Sequence, residues 1–240
     1  MASSSASANA RNPMLAALEA DREVRLEADA SVGTVLLVQE LGAASSSETA
    51  PHFYRVQPGS TVNVFTESSD QGSSSSTIKT DVALVTSIKA NHKKPEKSSV
   101  KVVWMYKYAD LPAAVKRSPN NPGTIETAFK LGDQLMQETV RERLLSNHAD
   151  SVAAEAIIGT VVVNFVPSGA AIASTLRRAD LPGRPLVPGY VCARFYDVHR
   201  QKLYFLEEAD LFAPDIVLGA NMTVEQCIEE TRERQSALKT

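Results

Sequence analysis

The residues best equipped to recognise something are concentrated between 99 and 110, in the run Ser-Val-Lys-Val-Val-Trp-Met-Tyr-Lys-Tyr-Ala-Asp, which carries the chain's one tryptophan, Trp104. Val100, Val102, Trp104, Tyr106 and Tyr108 alternate with Lys101, Val103, Met105 and Lys107, the period of two that defines a strand. Aromatic rings gathered on one strand face serve either as core or as a recognition surface, and the pattern leaves both open. A second concentration is basic: Lys89, His92, Lys93, Lys94 and Lys97 crowd the turn just before this run. Such a cluster can meet phosphate or an acidic surface, or it can be a solvated hairpin tip. No spacing for catalysis stands beside them. The chain has no Gly-x-x-x-x-Gly-Lys-Ser/Thr, no Gly-x-Ser-x-Gly and no His-Glu-x-x-His, and His52, His92, His148 and His199 are scattered. The expectation is a protein without enzymatic activity, cofactor or metal.

The elements that must hold these residues follow from composition and pattern. The chain has 240 residues, 43% of them hydrophobic, ample for a core. A formal charge of −3 makes any nucleic-acid contact local and auxiliary. Cys192 and Cys227 match no metal spacing and read as free thiols of a reducing compartment, and no stretch has the apolar length of a membrane span. Residues 1–11 read as a disordered lead-in. Asn12-Pro13 then signals a helix start, and Met14 to Glu27 holds good helix formers, so residues 12–50 are expected to give an N-terminal helix and then a buried strand at Thr34 to Leu41.

Further along, His52 to Val56 and Thr61 to Glu67 read as a hairpin about Pro58-Gly59, and Thr80 to Ala90 as the strand ahead of the basic turn. Ile125, Phe129, Met136, Val140 and Leu144 recur at helical spacing, which predicts a helical insertion from Thr124 to Leu145. Ala156 to Val166 is β-branched enough to demand a strand, and Tyr190 to Tyr196 pairs with Lys202 to Leu206 about Asp197 to Gln201. Thr223 and Gln226 form a capping box ahead of a helix in the final segment, 216–240. The fold class expected is mainly β: a distorted barrel over 51–215, with peripheral helices at both ends and a helical insertion.

Several of these segments together resemble the bromo-adjacent homology (BAH) domain, a chromatin-associated β module. Phe53 to Val62 is similar to that family's opening hairpin, and Val102 to Pro112 to its central Trp-aromatic strand with a downstream acidic residue. Glu142-Arg143-Leu144-Leu145-Ser146-Asn147-His148-Ala149-Asp150, with Ala154 to Gly159 after it, resembles the Glu-Leu-x-x-Ser-x-His-x-Asp segment and the Ile-x-Gly strand that follows. Tyr190 to Asp197 resembles the Phe/Tyr-x-Cys-x-x-x-Tyr-Asp hairpin. The resemblance spans about residues 52–213 and is nearest in character to the origin-recognition type of the module.

The resemblance implies a nuclear module that binds a histone tail or nucleosome and, in some members, reads a methylated lysine in an aromatic cage. A methylammonium has lost hydrogen-bond donors and is recognised by ring faces, often beside a carboxylate. By position, Trp104 and Tyr106 fall on the cage's Trp-x-Tyr pair, Asp110 on an acidic position beside it, and Ser146 and His148 on the neighbouring turn. Where such readers place a third ring, near residues 80–83, this chain has Thr80, Asp81, Val82 and Ala83. Ser146 stands where the origin-recognition type has a tyrosine. Tyr54 and Tyr108 are the candidates to complete the cage. Asp150 is expected to brace its turn. Lys89, Lys93, Lys94 and Lys97 remain candidates for nucleic-acid contact. The alternative function is a scaffold subunit that assembles a chromatin complex through the terminal helices.

Overall fold

The computed structural model describes residues 22–30, 33–40, 52–67, 78–118, 141–165 and 189–206, together with Glu229 and Glu233. The expected lead-in at 1–11, the serine-rich loops at 43–50 and 68–76, the body of the insertion at 124–140 and the excursion at 167–188 lie outside them. So does most of the C-terminal helix, of which Glu229 and Glu233 are helical.

The described chain is mainly β. Its first strands are β1 (Val24–Asp29), β2 (Gly33–Gln39), β3 (Phe53–Val56), β4 (Thr61–Glu67), β5 (Ile78–Lys89) and β6 (Ser99–Tyr106). After the short helix α1 (Ala113–Lys116) come β7 (Arg141–Glu142), β8 (Leu144–Ala153), β9 (Ile157–Thr160), β10 (Val163–Phe165), β11 (Tyr190–Cys192), β12 (Arg194–Asp197) and β13 (Lys202–Phe205). A seven-stranded sheet in the order β13-β12-β8-β6-β5-β4-β9 forms the centre, and two three-stranded sheets, β1-β2-β3 and β10-β11-β7, accompany it.

Strand alternation explains why the central sheet carries near-continuous apolar runs. Val62, Val64, Ala83, Val85, Val100, Val102 and Ile157 turn to one face and pack with Val24, Leu36, Val38 and Val56 of the first small sheet. Val82, Leu84, Val103, Met105, Leu145 and Phe195 turn to the other and meet Val163, Phe165 and Cys192 of the second. Both faces are therefore covered, and each buried valine or leucine contributes about 1.5–3 kcal/mol. Cys192 is a buried free thiol.

Four expectations are corrected. The central sheet does not close: among the described residues it ends in two edges, β13 and β9, so the barrel is an open, layered sheet. The hairpin expected about Pro58-Gly59 does not form either. Gly59, at φ 91°, makes the expected turn, but β3 leaves β4 and pairs with β2, placing Val38 against Tyr54. Thus the turn hands the chain from one layer to the next instead of closing a hairpin. Arg22 fastens these layers, with its guanidinium donating to the carbonyls of Gln39 and Ile157 at 2.6 and 2.8 Å.

The helix expected to run to Glu27 fails at its described end. Val24–Asp29 is a strand, paired with β2 from Val24–Val38 to Asp29–Gly33, and this pairing overrides the helical propensity of its Leu, Glu and Ala. The helix expected over 124–145 likewise fails at its described end, where Arg141–Glu142 and Leu144–Ala153 are strands. Leu144 and Leu145 are both fully buried but enter different clusters, as neighbours on a strand do. Ala113–Lys116 forms a turn of helix that buries Val115. No helix among the described residues is long and apolar enough to cross a membrane.

Candidate functional site

Trp104 and Tyr106 share a face of β6, two residues apart, hence roughly 6.6 Å along the strand. They lie on the face covered by the β1-β2-β3 sheet, and Trp104 packs partly against that valine cluster. Tyr106 leans the other way, edge-on to Tyr196 with ring centroids 5.4 Å apart. Burial, followed by the neighbouring Tyr196 and Asp110, raises the Tyr106 pKa, so the phenol stays neutral at physiological pH.

A break in the ladder brings the histidine to these rings. Val103 pairs with Ala149 and Met105 with Leu145, so Trp104 alone faces Ser146, Asn147 and His148 on β8. This bulge bends β8 and re-aims its side chains, as bulges do. Ser146 is fully buried beneath it: its hydroxyl donates to the Trp104 carbonyl at 2.7 Å and accepts from the His148 N–H at 3.1 Å. Asn147 donates to the buried Asp197 carboxylate at 3.0 Å and accepts from the Val198 N–H at 2.8 Å. His148 is left exposed, with its Nδ1 hydrogen-bonded to the Tyr106 hydroxyl at 2.7 Å.

The outcome is a notch of about 230 Å³ lined by Thr66, Lys79, Asp81, Trp104, Met105, Tyr106, Asp110 and His148. Four of the five residues expected to bind a tail thus come together: Trp104, Tyr106, Asp110 and His148. Ser146 does not join them, because its hydroxyl is consumed in holding the bulge. Asp110 arrives from the 3-10 turn Tyr108–Asp110, where its carboxylate accepts the Lys107 N–H at 3.3 Å. The tyrosines expected to complete the enclosure are elsewhere. Tyr54 donates to Glu40 at 2.8 Å and packs on Gly159, and Tyr108 faces the Arg194 guanidinium at 5.3 Å. The turn expected around Ser146, His148 and Asp150 is instead part of β8, where the Asp150 carboxylate accepts the Ser151 N–H at 2.7 Å.

Four lining residues escaped the site prediction, Thr66, Lys79, Asp81 and Met105. For Asp81 the signal was register: β5 runs antiparallel to β6 with Ala83 opposite Trp104, which brings Asp81 beside Tyr106 on the same face. Asp81 accepts from the Thr66 hydroxyl at 3.1 Å and lies 3.6 Å from the Lys107 ammonium. Chemically, the notch presents two ring faces, an imidazole and two carboxylates, with the ammonium of Lys79 also in its lining.

The basic cluster is not part of it. Lys89, Lys93, Lys94 and Lys97 are all exposed at the β5–β6 turn, around the 3-10 turn Pro95–Lys97. This is the opposite end of β6, roughly 17 Å from Trp104 at strand rise. No group of three or more His, Cys, Asp or Glu side chains among the described residues is arranged to hold a metal ion.

No family model matches this chain, and no curated protein does. Among solved structures it is similar to the crystal structure of the yeast Rsc2 BAH domain, at 11% identity and a TM-score of 0.36. The match covers 74% of this chain, which spans 61% of that one.

Proposed function

We propose that this chain is a non-enzymatic, nuclear protein-interaction module that docks a histone tail and takes one of its lysines, in a methylated state, into the notch. The observation that supports this reading is the convergence of Trp104, Tyr106, His148, Asp81 and Asp110 on one cavity. Half-buried ring faces attract an alkylated ammonium, the carboxylates complement its charge, and flanking residues of the tail find main-chain partners along the sheet. The choice of a histone tail rests on the sequence resemblance of residues 52–213 described above.

An array of histone-tail peptides in each lysine methylation state, followed by titration of the strongest binders, tests the proposal. A cation–π contact with Trp104 contributes about 0.5–2 kcal/mol, so Trp104→Ala should weaken binding roughly 2- to 30-fold. Because Trp104 also packs on the valine cluster, Asp110→Asn at the exposed rim serves as a second variant that leaves the core intact. Histone binding that both variants leave unchanged would remove the notch from the function.

A further inference from the structure

Among the described residues β1 pairs with β2 alone, so its far side is an open strand edge. One bond tells which main-chain groups that edge presents. The Gln39 N–H donates to the Glu23 carbonyl at 3.0 Å, and Val24 stands opposite Val38, so Glu23 and Gln39 are a hydrogen-bonded pair of the ladder. Such pairs alternate along an antiparallel ladder. Arg25, Glu27 and Asp29 therefore turn their main-chain groups toward β2, while Val24, Leu26 and Ala28 turn theirs outward. Arg25, Glu27 and Ala28 are exposed and Leu26 is half-buried, which leaves the middle of the strand within reach of another chain.

Charged side chains on an edge ordinarily keep unmatched strands away. On β1 they are placed so that one partner matches them. We propose that β1 pairs antiparallel with β1 of a second copy of this chain, about a two-fold axis through Leu26, joining the two β1-β2-β3 sheets into one. Leu26 then meets Leu26 of the second copy as a hydrogen-bonded pair, and Val24 meets Ala28 on either side, so the outward main-chain groups bond each other. Arg25 stands opposite Glu27 of the second copy, twice by symmetry, in the non-hydrogen-bonded positions where side chains come closest. An axis moved to Arg25 sets arginine against arginine, and one moved to Glu27 sets glutamate against glutamate. The sequence Arg-Leu-Glu thus selects one register of self-pairing. At the ends Glu23 faces Asp29 of the second copy, but Glu23 holds Arg25 at 2.6 Å and Asp29 holds the Arg55 guanidinium. Within one copy Arg25 also lies over the Phe53 ring, and Glu27 reaches Arg55 at 3.3 Å. These are exposed contacts that stabilise little, so both side chains are able to turn to the partner. The pairing uses no residue of the notch.

Sedimentation velocity of the full chain across a dilution series tests the proposal, run beside Arg25→Glu, Glu27→Arg and an equimolar mixture of these variants. Wild type is expected to exchange between monomer and dimer with concentration, since a contact of one strand edge lies at the small end of specific interfaces. Each variant alone sets like charges across the axis at both positions and should associate about tenfold more weakly. Their mixture should recover wild-type association, because every such position then sets an acid of one variant against an arginine of the other. That recovery also shows that both variants are folded. A wild type that stays monomeric throughout, a dimer that neither variant weakens, or a mixture as weak as its components overturns the proposal.

Discussion

Replacing Asp197 should destabilise the sheet and disorganise the notch together, because this carboxylate lies beneath the bulge that presents His148. Asp197 is 2% exposed. Its Oδ1 accepts from Asn147 Nδ2, the His199 N–H and the Arg200 N–H, each at 3.0 Å, and its Oδ2 meets the Arg200 guanidinium at 3.2 Å. Asp197→Ala abandons all of these donors. Asn147 is half-buried and keeps the full cost of a lost partner, about 1–3 kcal/mol, whereas the turn amides of the exposed His199 and Arg200 recover water and add about 1 kcal/mol between them. The loss should therefore be about 2–4 kcal/mol by urea denaturation, with weakened ligand response at Trp104. Burial pushes the Asp197 pKa up, but the Arg200 backbone, Asn147 and the His199 backbone outweigh it and hold the carboxylate below its ordinary value. Its contribution is thus complete above the unfolded value of about 3.9 and is lost as pH falls through the lower folded value. Wild-type stability should drop below about pH 4 in a step that Asp197→Asn lacks. A cost under about 0.5 kcal/mol for Asp197→Ala, or identical acid profiles for wild type and Asp197→Asn, would refute this account.

Arg194 and Glu142 form a buried, two-pronged ion pair, with Nε–Oε1 and Nη2–Oε2 at 2.8 and 2.6 Å. Removing one partner, as in Glu142→Leu, should cost about 3–5 kcal/mol, whereas Arg194→Met with Glu142→Leu should recover most of that loss, as read by thermal unfolding. At the far end of the sheet, Lys93→Glu with Lys94→Glu should lower duplex-DNA affinity and reduce the slope of log affinity on log salt by roughly two. Affinity that is insensitive to salt would show that the lysine tip grips no phosphate.

The strands were legible where apolar residues alternate or run together. The β6 pattern and the β12–β13 pairing about Asp197 to Gln201 correspond to strands, with Phe195 against Tyr204, whereas the β-branched run at 156–166, expected as one strand, is divided between β9 and β10 in two different sheets. Sheet connectivity was not legible. Nothing local to Pro58-Gly59 distinguishes a hairpin turn from a passage between layers, and the parallel partners β8 and β12 meet across about 50 residues of chain. Helical propensity misled at Val24–Asp29 and at Leu144–Leu145 because long-range pairing decided both. In the site, residue types alone marked Trp104, Tyr106, Asp110 and His148, whereas Asp81 needed register and Ser146 needed burial. A serine under a bulge and a serine in a binding turn look alike in sequence.

The same geometry answers the question that β6 poses on its own, whether its aromatics are core or surface. Val100 and Val102 are fully buried beneath the β1-β2-β3 sheet, yet two and four residues past Val102 the same face holds half-buried rings and a cavity. Continuing the pleat under that cover would have buried Trp104 and Tyr106 as well. Two departures from regularity act here: β8 bulges, so that His148 stands at the Tyr106 hydroxyl, and Lys107 leads into a 3-10 turn that carries Asp110 around to the rings. Trp104 is consequently both, with the valine cluster fixing one part of the indole and the notch receiving the rest. Such a ring is held in place before any ligand arrives, so little side-chain freedom remains to be lost on binding. That preorganisation supports the proposed reading, in which a notch with two aromatic walls receives a small cation.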